Sequence, residues 1–212
     1  MKYLLLGLLL AFTTNGFSQG FTKQDSIRGS VTNERAWWDV QHYDLDVQVV
    51  IKNKWIIGSN FITYKVLESS QIMQIDLQVP MKIDIITQDD DELDFFSNGD
   101  HHFITLKKPQ KKGEINIIKI YFKGNPREAK NAPWDGGFVW SKDSNGKPFI
   151  ANANQSIGSS VWWPCKDHPS DEPDLGAKIR VTAPNGLDVV SNGQLKEVNK
   201  DEHGGNIWVY LF

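Results

Sequence analysis

The stretch Tyr43-Asp44-Leu45-Asp46-Val47-Gln48-Val49 decides the fold class. Apolar and polar residues alternate along it, which is the period of a β-strand with one buried and one solvated face. After a polar break at residues 52–54 the apolar pattern resumes over Trp55–Val66, so the two segments predict a β-hairpin. Gly58 lies inside the second strand, where a glycine indicates a bulge or a close backbone approach.

The rest of the chain continues this pattern, and no window shows helical periodicity. Turn signatures occur at Ser97-Asn98-Gly99-Asp100, Ala183-Pro184-Asn185-Gly186 and Gly204-Gly205. Residues 127–148 are predicted to be irregular, followed by an aromatic loop region to residue 174. Further strands are predicted at Ile72–Val79, Met81–Ile86, Leu93–Phe96, Phe103–Leu106, Ile115–Phe122, Lys178–Thr182, Leu187–Val190, Gln194–Val198 and Asn206–Phe212. The predicted fold class is therefore all-β, a mostly antiparallel β-sandwich with long loops and little helix.

The first eighteen residues predict a signal peptide. Lys2 precedes the apolar run Tyr3–Phe12, and Gly16 and Ser18 are small residues at the spacing of a cleavage site ahead of Gln19. A run of about ten residues is too short to cross a bilayer, which needs about twenty, so no transmembrane segment is expected. The alternative is a buried N-terminal strand or helix. We expect export to the periplasm or the cell exterior, with cleavage near Ser18.

Charge and cysteine content limit the possible partners and cross-links. The formal net charge of −3 offers no basic excess to neutralise phosphates, so a nucleic-acid partner is not expected. Cys165 is the only cysteine, which excludes an internal disulfide. The folded chain must therefore be stabilised by a hydrophobic core, and its length is sufficient for one.

Two polar clusters resemble metal sites at first sight. The acidic run Asp89–Glu92 could attract calcium, but it lacks the glycine and distal glutamate of an EF-hand loop, so a solvated loop is the simpler interpretation. His101 and His102 are adjacent in a predicted strand and must point to opposite faces, so they cannot share one metal ion. We expect this histidine pair at the surface.

The segment Pro164–Asp174 combines Cys165 and His168 with several acidic residues. A zinc site needs ligands at defined spacing, and a cysteine–histidine nucleophile pair needs an orienting group, and neither requirement is evident here. We interpret the segment as a rigid structural loop, stiffened by prolines, whose carboxylates cap turns. Beyond that, the sequence assigns no role to Asp167, His168, Asp171 or Glu172.

Four tryptophans surround this region. Exposed aromatic rings could stack on sugar faces, or the same rings could fill the core and a domain interface. Two of them are adjacent and would point to opposite sides of a strand. The four are Trp134, Trp140, Trp162 and Trp163.

Three segments in order, Asn131–Trp140, Pro148–Gln155 and Val161–Ser170, resemble the N-terminal domain of the aminopeptidase N family of zinc metallopeptidases, the gluzincins. The hairpin around Gly58 and the run Ile120–Gly124 fall where that family has similar features. The resemblance implies a saddle-like, mostly antiparallel β domain that precedes a catalytic domain. Since the resemblance begins at about Trp38, we divide the chain into the predicted signal peptide (1–18), a lead-in (19–37) and an incomplete N-terminal β domain (38–212).

The resemblance also implies a function and one site residue. Gln155 matches the family's residue that reaches the active site and holds the free α-amine of a peptide substrate. The alternative is that Gln155 only satisfies backbone groups of its loop. No His-Glu-x-x-His occurs in the sequence, so the zinc ligands of the parent enzyme are expected beyond Phe212.

We therefore expect that this chain binds no zinc, contains no catalytic residue and is inactive alone. Its chain end, inside an apolar strand-like run, predicts a fragment that lacks its C-terminal catalytic domain. The parent would be a secreted aminopeptidase acting on peptides with a free N-terminus. The alternative is a free-standing secreted β-sandwich module that binds glycans or proteins.

Overall fold

The computed structural model describes residues 22–212, so the predicted signal peptide lies outside the described residues. Two short helices precede thirteen strands. The elements are α1 (Lys23–Gly29), α2 (Asn33–Ala36), β1 (Trp38–Val50), β2 (Trp55–Val66), β3 (Ile72–Asp76), β4 (Lys82–Gln88), β5 (Asp91–Glu92), β6 (Asp94–Asn98), β7 (His101–Thr105), β8 (Ile115–Gly124), β9 (Gly137–Lys142), β10 (Pro148–Ala153), β11 (Ala177–Ala183), β12 (Gln194–Lys200) and β13 (Asn206–Leu211).

The strands form one large sheet and two small ones. The large sheet has the order β12-β13-β11-β1-β2-β8-β4-β5, and the smaller sheets are β3-β7-β6 and the β9–β10 hairpin. All pairs are antiparallel except β1 with β11, which is parallel. The prediction of an all-β, mostly antiparallel sandwich with little helix is confirmed.

The β1–β2 hairpin forms as predicted, and Gly58 marks a close approach. A Cβ at Gly58 would lie 2.4 Å from the backbone oxygen of Asp46 and 2.9 Å from Val47 Cγ1. No residue with a side chain fits at this position without a shift of the backbone. The irregularity of this strand pair lies instead between Val40 and His42.

Two apolar clusters fill the space between the sheets. One joins inward residues of the large sheet to β3 and β7, with Ile62, Met73 and Ile104 at less than 1% exposure. The other packs the β9–β10 hairpin, through Phe138, against Leu45 and the neighbouring inward residues of the large sheet. The small sheets therefore cover different parts of the same face.

Three predictions about elements are wrong. Leu187–Val190 forms no strand, and Val190 is 92% exposed, because both edges of β11 are already occupied by β1 and β13. The stretch 127–148 is not irregular throughout, since β9 and the first residue of β10 lie within it. Trp162 and Trp163 lie in no strand and follow a 3-10 turn, Ser159–Val161, so the alternation rule does not apply to them.

The expected surface position of the histidine pair is also wrong. His101 is 2% exposed and His102 is 6% exposed. They do point to opposite faces of β7, but β7 is the central strand of its small sheet and both of its faces are covered. The sequence does not indicate that the second face of β7 is covered, because that face is buried by tertiary packing.

Candidate functional site

Gln155 lies in a tight turn directly after β10. The backbone N–H groups of Ile157 and Gly158 donate to the carbonyl oxygen of Asn154 at 3.2 and 3.1 Å, which closes the turn. Ser156 and Gly158 adopt left-handed backbone conformations, with φ values of 67° and 79°. The side chain of Gln155 is exposed. We name residues 154–158 the Gln155 turn.

A carboxylate from the Pro164–Asp174 segment binds the end of this turn. Asp167 accepts hydrogen bonds from the backbone N–H groups of Ser159 and Ser160 at 3.3 and 3.4 Å, and from Ser160 Oγ at 2.5 Å. Asp171 accepts from the backbone N–H of Val40 at 3.3 Å. The segment therefore contains carboxylates that accept hydrogen bonds from backbone N–H groups, as its interpretation as a structural loop predicts.

Two further side chains bind the Gln155 turn. Gln78 Nε2 donates to the carbonyl oxygen of Ile157 at 2.5 Å and to Ser160 Oγ at 3.0 Å. Arg28, in the last turn of α1, donates to the same Ile157 carbonyl and lies 4.0 Å from Asp167. The turn is thus fastened by three side chains that come from three separate parts of the chain.

The loop before β9 lies next to this turn. Ala153 pairs with Gly137 in the antiparallel β9–β10 hairpin, so the loop entering β9 and the turn leaving β10 share one end of the hairpin. A Cβ at Gly136 would lie 2.4 Å from Ile157 Cδ1, which shows that the two loops touch. Trp134, in the neighbouring loop, is 85% exposed. This end therefore combines an exposed amide with an exposed aromatic ring.

The other three tryptophans pack inward. Trp140 stacks on Phe138 with ring centroids 5.6 Å apart, and Trp162 meets Phe138 edge-on at 5.8 Å. Trp163 packs edge-on against Tyr43 at 5.0 Å. Core packing thus accounts for these three rings, and Trp134 alone among the four is exposed.

Cys165 and His168 do not form a reactive pair. Cys165 is 3% exposed, and burial, followed by the negative charges of Asp167 and Asp76, raises the pKa of its thiol well above the usual value. A neutral buried thiol is a poor nucleophile. His168 instead places Nδ1 at 2.7 Å from Ser170 Oγ.

Lys166 is buried and joins this segment to the start of β1. Its Nζ donates to the carbonyl oxygen of Trp38 at 2.5 Å, pairs with Asp171, and lies 4.5 Å from the centre of the Trp38 ring. Burial lowers the pKa of Lys166, while the Asp171 carboxylate acts in the opposite direction. The pair attaches the segment to the start of β1.

A second buried ionic network lies beneath Asp167. Asp76, at the end of β3, pairs with Arg35 Nη2 at 2.6 Å and with His101 Nδ1 at 2.8 Å. Asp76 also accepts from the backbone N–H of Asp167 at 3.1 Å. Burial alone would raise the pKa of Asp76, but the His101 hydrogen bond and the Arg35 charge outweigh it and hold that pKa below the usual value.

The residues described here do not fit a zinc ion. Across residues 22–212, no group of three or more His, Cys, Asp and Glu side chains is placed to hold a metal. In the acidic run, Asp89 and Asp90 adopt left-handed turn conformations between β4 and β5, and Asp90 pairs with Lys119 at 3.7 Å. That position fits a solvated loop.

Sequence reasoning missed the buried polar residues that support the Gln155 turn. Gln74, Asp76 and Gln78 alternate with apolar residues, a pattern that predicts the solvent-exposed face of a strand. All three are at most 9% exposed. A pattern of three polar residues at period two carries no signal that another layer covers them.

The chain is thus a mostly antiparallel β-sandwich domain in which a polar turn follows one end of the β9–β10 hairpin. The chain belongs to the peptidase M1 N-terminal domain family, whose model matches residues 39–211. The resemblance to the aminopeptidase N family is therefore confirmed at the level of the domain.

Solved structures share this fold. An M1 zinc metallopeptidase from Deinococcus radiodurans, determined with a Tyr-Ser-Ala substrate, matches with a TM-score of 0.70 at 20% identity over 87% of this chain and 41% of its own. A two-domain M1 zinc metallopeptidase bound to L-arginine matches with a TM-score of 0.68 at 21% identity, over 84% and 39% of the two chains. Yeast LTA4 hydrolase with Bestatin matches with a TM-score of 0.64 at 18% identity, over 96% and 30%.

These matches concern part of each relative. The chain spans 41% or less of the length of these three structures. No curated protein matches the chain in sequence. Across residues 22–212, no helix is both long and apolar enough to cross a membrane.

Proposed function

We propose that this chain is the N-terminal domain of a zinc-dependent aminopeptidase, which removes N-terminal residues from peptides. The observation that carries the proposal is the exposed Gln155 on an anchored turn, in a chain that belongs to the M1 N-terminal domain family. Hydrolysis itself would belong to a catalytic domain of the parent protein.

Gln155 would bind the α-ammonium group of the substrate. Its amide oxygen accepts hydrogen bonds, and an ammonium group has three N–H donors. Since the turn is held by Asp167, Gln78 and Arg28, the amide would be positioned before the substrate arrives. A contact of this kind selects peptides with a free N-terminus.

Zinc would be bound elsewhere in the parent. Because no metal-binding group of side chains occurs within residues 22–212, the ligands would come from the catalytic domain. This domain would therefore contribute substrate positioning, and its own residues would not touch the metal.

The test is the Gln155→Ala substitution in the complete parent enzyme. We expect kcat/KM on free-amine substrates to fall by about 5- to 150-fold, the equivalent of about 1–3 kcal/mol for a lost hydrogen bond to a charged group. Zinc content, measured by elemental analysis, should stay unchanged.

Gln194→Ala provides the matched control, because Gln194 is an exposed glutamine at the start of β12. It should leave kcat/KM unchanged. A Gln155→Ala enzyme that retains wild-type kcat/KM on free-amine substrates would refute the role of Gln155.

The alternative function, a free-standing glycan- or protein-binding module, rests on the exposed Trp134. The lining of the groove beside Trp140 includes no carboxylate or amide side chain, which could accept hydrogen bonds from sugar hydroxyls. The other residues that line this groove are Ile51, Lys54, Ser141, Lys142, Pro148 and Ile150. Oligosaccharide binding by this chain that is lost in Trp134→Ala would favour the binding module.

We also propose that the protein is exported, with cleavage near Ser18. The support is the order of Lys2, the apolar run Tyr3–Phe12 and the small residues Gly16 and Ser18. Mass spectrometry of the mature protein should find an N-terminus at Gln19. An intact Met1 on protein recovered from the cell envelope or medium would contradict export by this route.

A further inference from the structure

The Asp167 carboxylate packs directly against the backbone of the Gln155 turn. A Cβ at Gly158 would lie 2.0 Å from Asp167 Oδ2, and the φ of Gly158 is 79°, a conformation that favours glycine. The backbone at this position is therefore packed directly against the carboxylate. A residue with a side chain would separate the two.

Asp167 is itself held in place from below. Its backbone N–H donates to Asp76 Oδ2, and Asp76 is 2% exposed and paired with the fully buried Arg35. Two residues earlier, Cys165 forms a backbone pair with Asp76. The Cys165 N–H donates to the Asp76 carbonyl oxygen at 3.1 Å, and the Asp76 N–H donates to the Cys165 carbonyl oxygen at 2.9 Å. The turn is thus connected to the core through a short chain of hydrogen bonds.

From this geometry we propose that Asp167 is a positioning residue for Gln155. Its carboxylate fixes the amide groups of Ser159 and Ser160, and through them the direction in which the Gln155 side chain leaves the turn. Asp167 touches neither substrate nor metal in this scheme. The inference rests on the function proposed for Gln155, but the anchoring itself is a property of this chain and is testable on it alone.

The first experiment measures amide hydrogen exchange in this chain by NMR or mass spectrometry. Asp167→Ala removes the acceptor of the Ser159 and Ser160 amides, so their exchange should accelerate by about ten- to a hundredfold. Amides of β2 should be unaffected. Asp188→Ala, at an exposed acid in the β11–β12 connection, is the matched control and should change none of these rates. Unchanged exchange at residues 154–160 in Asp167→Ala would overturn the inference.

The second experiment is a double-mutant cycle in the complete enzyme. If Asp167 acts through Gln155, Asp167→Ala should lower kcat/KM by about the same factor as Gln155→Ala, in the range of about 5- to 150-fold. The double variant should then be no worse than the single ones, within about threefold, because residues that act as one unit are not additive.

The outcomes separate the two ideas. If the fall in kcat/KM of the double variant equals the product of the two single falls, Asp167 acts independently of Gln155, and the positioning role is overturned. Full activity of Asp167→Ala beside an impaired Gln155→Ala overturns it as well. Full activity of Gln155→Ala refutes the function proposed for Gln155, whereas the exchange experiment still decides whether Asp167 anchors the turn.

Discussion

Individual polar residues in the interior of this domain decide how its loops are held. Gln74, Asp76 and His101 form a buried set in which Gln74 Nε2 donates to Asp76 Oδ1 at 2.9 Å. A buried carboxylate is costly unless it is paired and hydrogen-bonded. Asp76 meets this condition through Arg35 and His101, and so supplies a fixed acceptor for the Asp167 backbone.

The buried His102 should make the stability of the folded chain depend on pH. Burial lowers the pKa of His102, a shift that the Leu77 carbonyl and the charges of Asp76 and Asp100 oppose and that His101 reinforces. The unfolded chain therefore binds this proton first as the pH falls. The stability contributed by neutral His102 is complete above the unfolded pKa, about 6.5, and is lost as the pH falls from there through the folded pKa.

The measurement is the free energy of unfolding of this chain by urea, between about pH 7.5 and pH 5. The free energy of unfolding of the wild type should decline below about pH 6.5. The slope is at most about 1.4 kcal/mol per pH unit for each additional proton that the unfolded state binds. His102→Gln should flatten this slope. His203→Gln, at an exposed turn histidine, should keep the wild-type slope. An identical slope in wild type and His102→Gln would show that another group causes the decline.

Among the secondary-structure elements, the two N-terminal helices are joined to each other and to the small β3-β7-β6 sheet by a buried arginine. Arg35, in α2, is fully buried. Its Nη1 donates to the carbonyl oxygens of Ile27, Arg28 and Ser30 at 2.8–3.0 Å, and its Nη2 pairs with Asp76 on β3. The guanidinium thus joins the end of α1, the connection to α2 and the small sheet. This attachment also places Arg28 against the Gln155 turn.

Arg35→Ala should accordingly be strongly destabilising. It leaves Asp76 buried without its cation, a change that costs about 3–5 kcal/mol in comparable buried pairs. The measurement is urea unfolding of this chain at neutral pH, and hydrogen exchange should show loss of protection in α1 and α2 first.

Lys112→Ala is the control for Arg35→Ala, since it breaks the ion pair with Glu68, whose side chains are 69% and 71% exposed. Exposed pairs of this kind contribute little. If Arg35→Ala lowered the free energy of unfolding no more than Lys112→Ala, the attachment described here would be unimportant for stability.

For the molecule as a whole, the role proposed above is that of a domain that positions substrate for chemistry performed in a catalytic domain. The large sheet and its two small covering sheets form a continuous scaffold, and the Gln155 turn lies at one end of the β9–β10 hairpin. Polar loop residues on such rigid scaffolds are common components of binding sites.

The corresponding prediction concerns metal and activity. If the zinc ligands of the parent lie in its catalytic domain, as proposed, the purified chain should contain far less than one equivalent of zinc. It should also leave aminoacyl chromogenic substrates uncleaved. Elemental analysis and a standard aminopeptidase assay, with the complete parent enzyme as the positive control, are the measurements. Stoichiometric zinc, or turnover that a chelator abolishes, would contradict the division of roles proposed here.

The fold class and the positions of most strands could be predicted from the sequence alone. The alternation at Tyr43–Val49 predicts β1, the break at 52–54 predicts the hairpin, and the residues around Gly99 predict the β6–β7 turn. These features are local, since side chains alternate faces in any strand and turns depend on a few adjacent residues. The resemblance of its ordered segments also identified the family and directed attention to Gln155.

Which strands pair over long distances, and which polar residues are covered, could not be predicted from the sequence and follow from the packing of the fold. The parallel pairing of β1 with β11 joins residues more than a hundred positions apart, and it leaves no edge for Leu187–Val190. The burial of His101 and His102 likewise depends on a second layer over β7. The hydrogen bonds of Asp167, Gln78 and Arg28 to residues 157–160 likewise depend on packing between distant parts of the chain. Period-two patterns report the geometry of one strand, whereas burial and hydrogen-bond partners depend on what the fold brings against it.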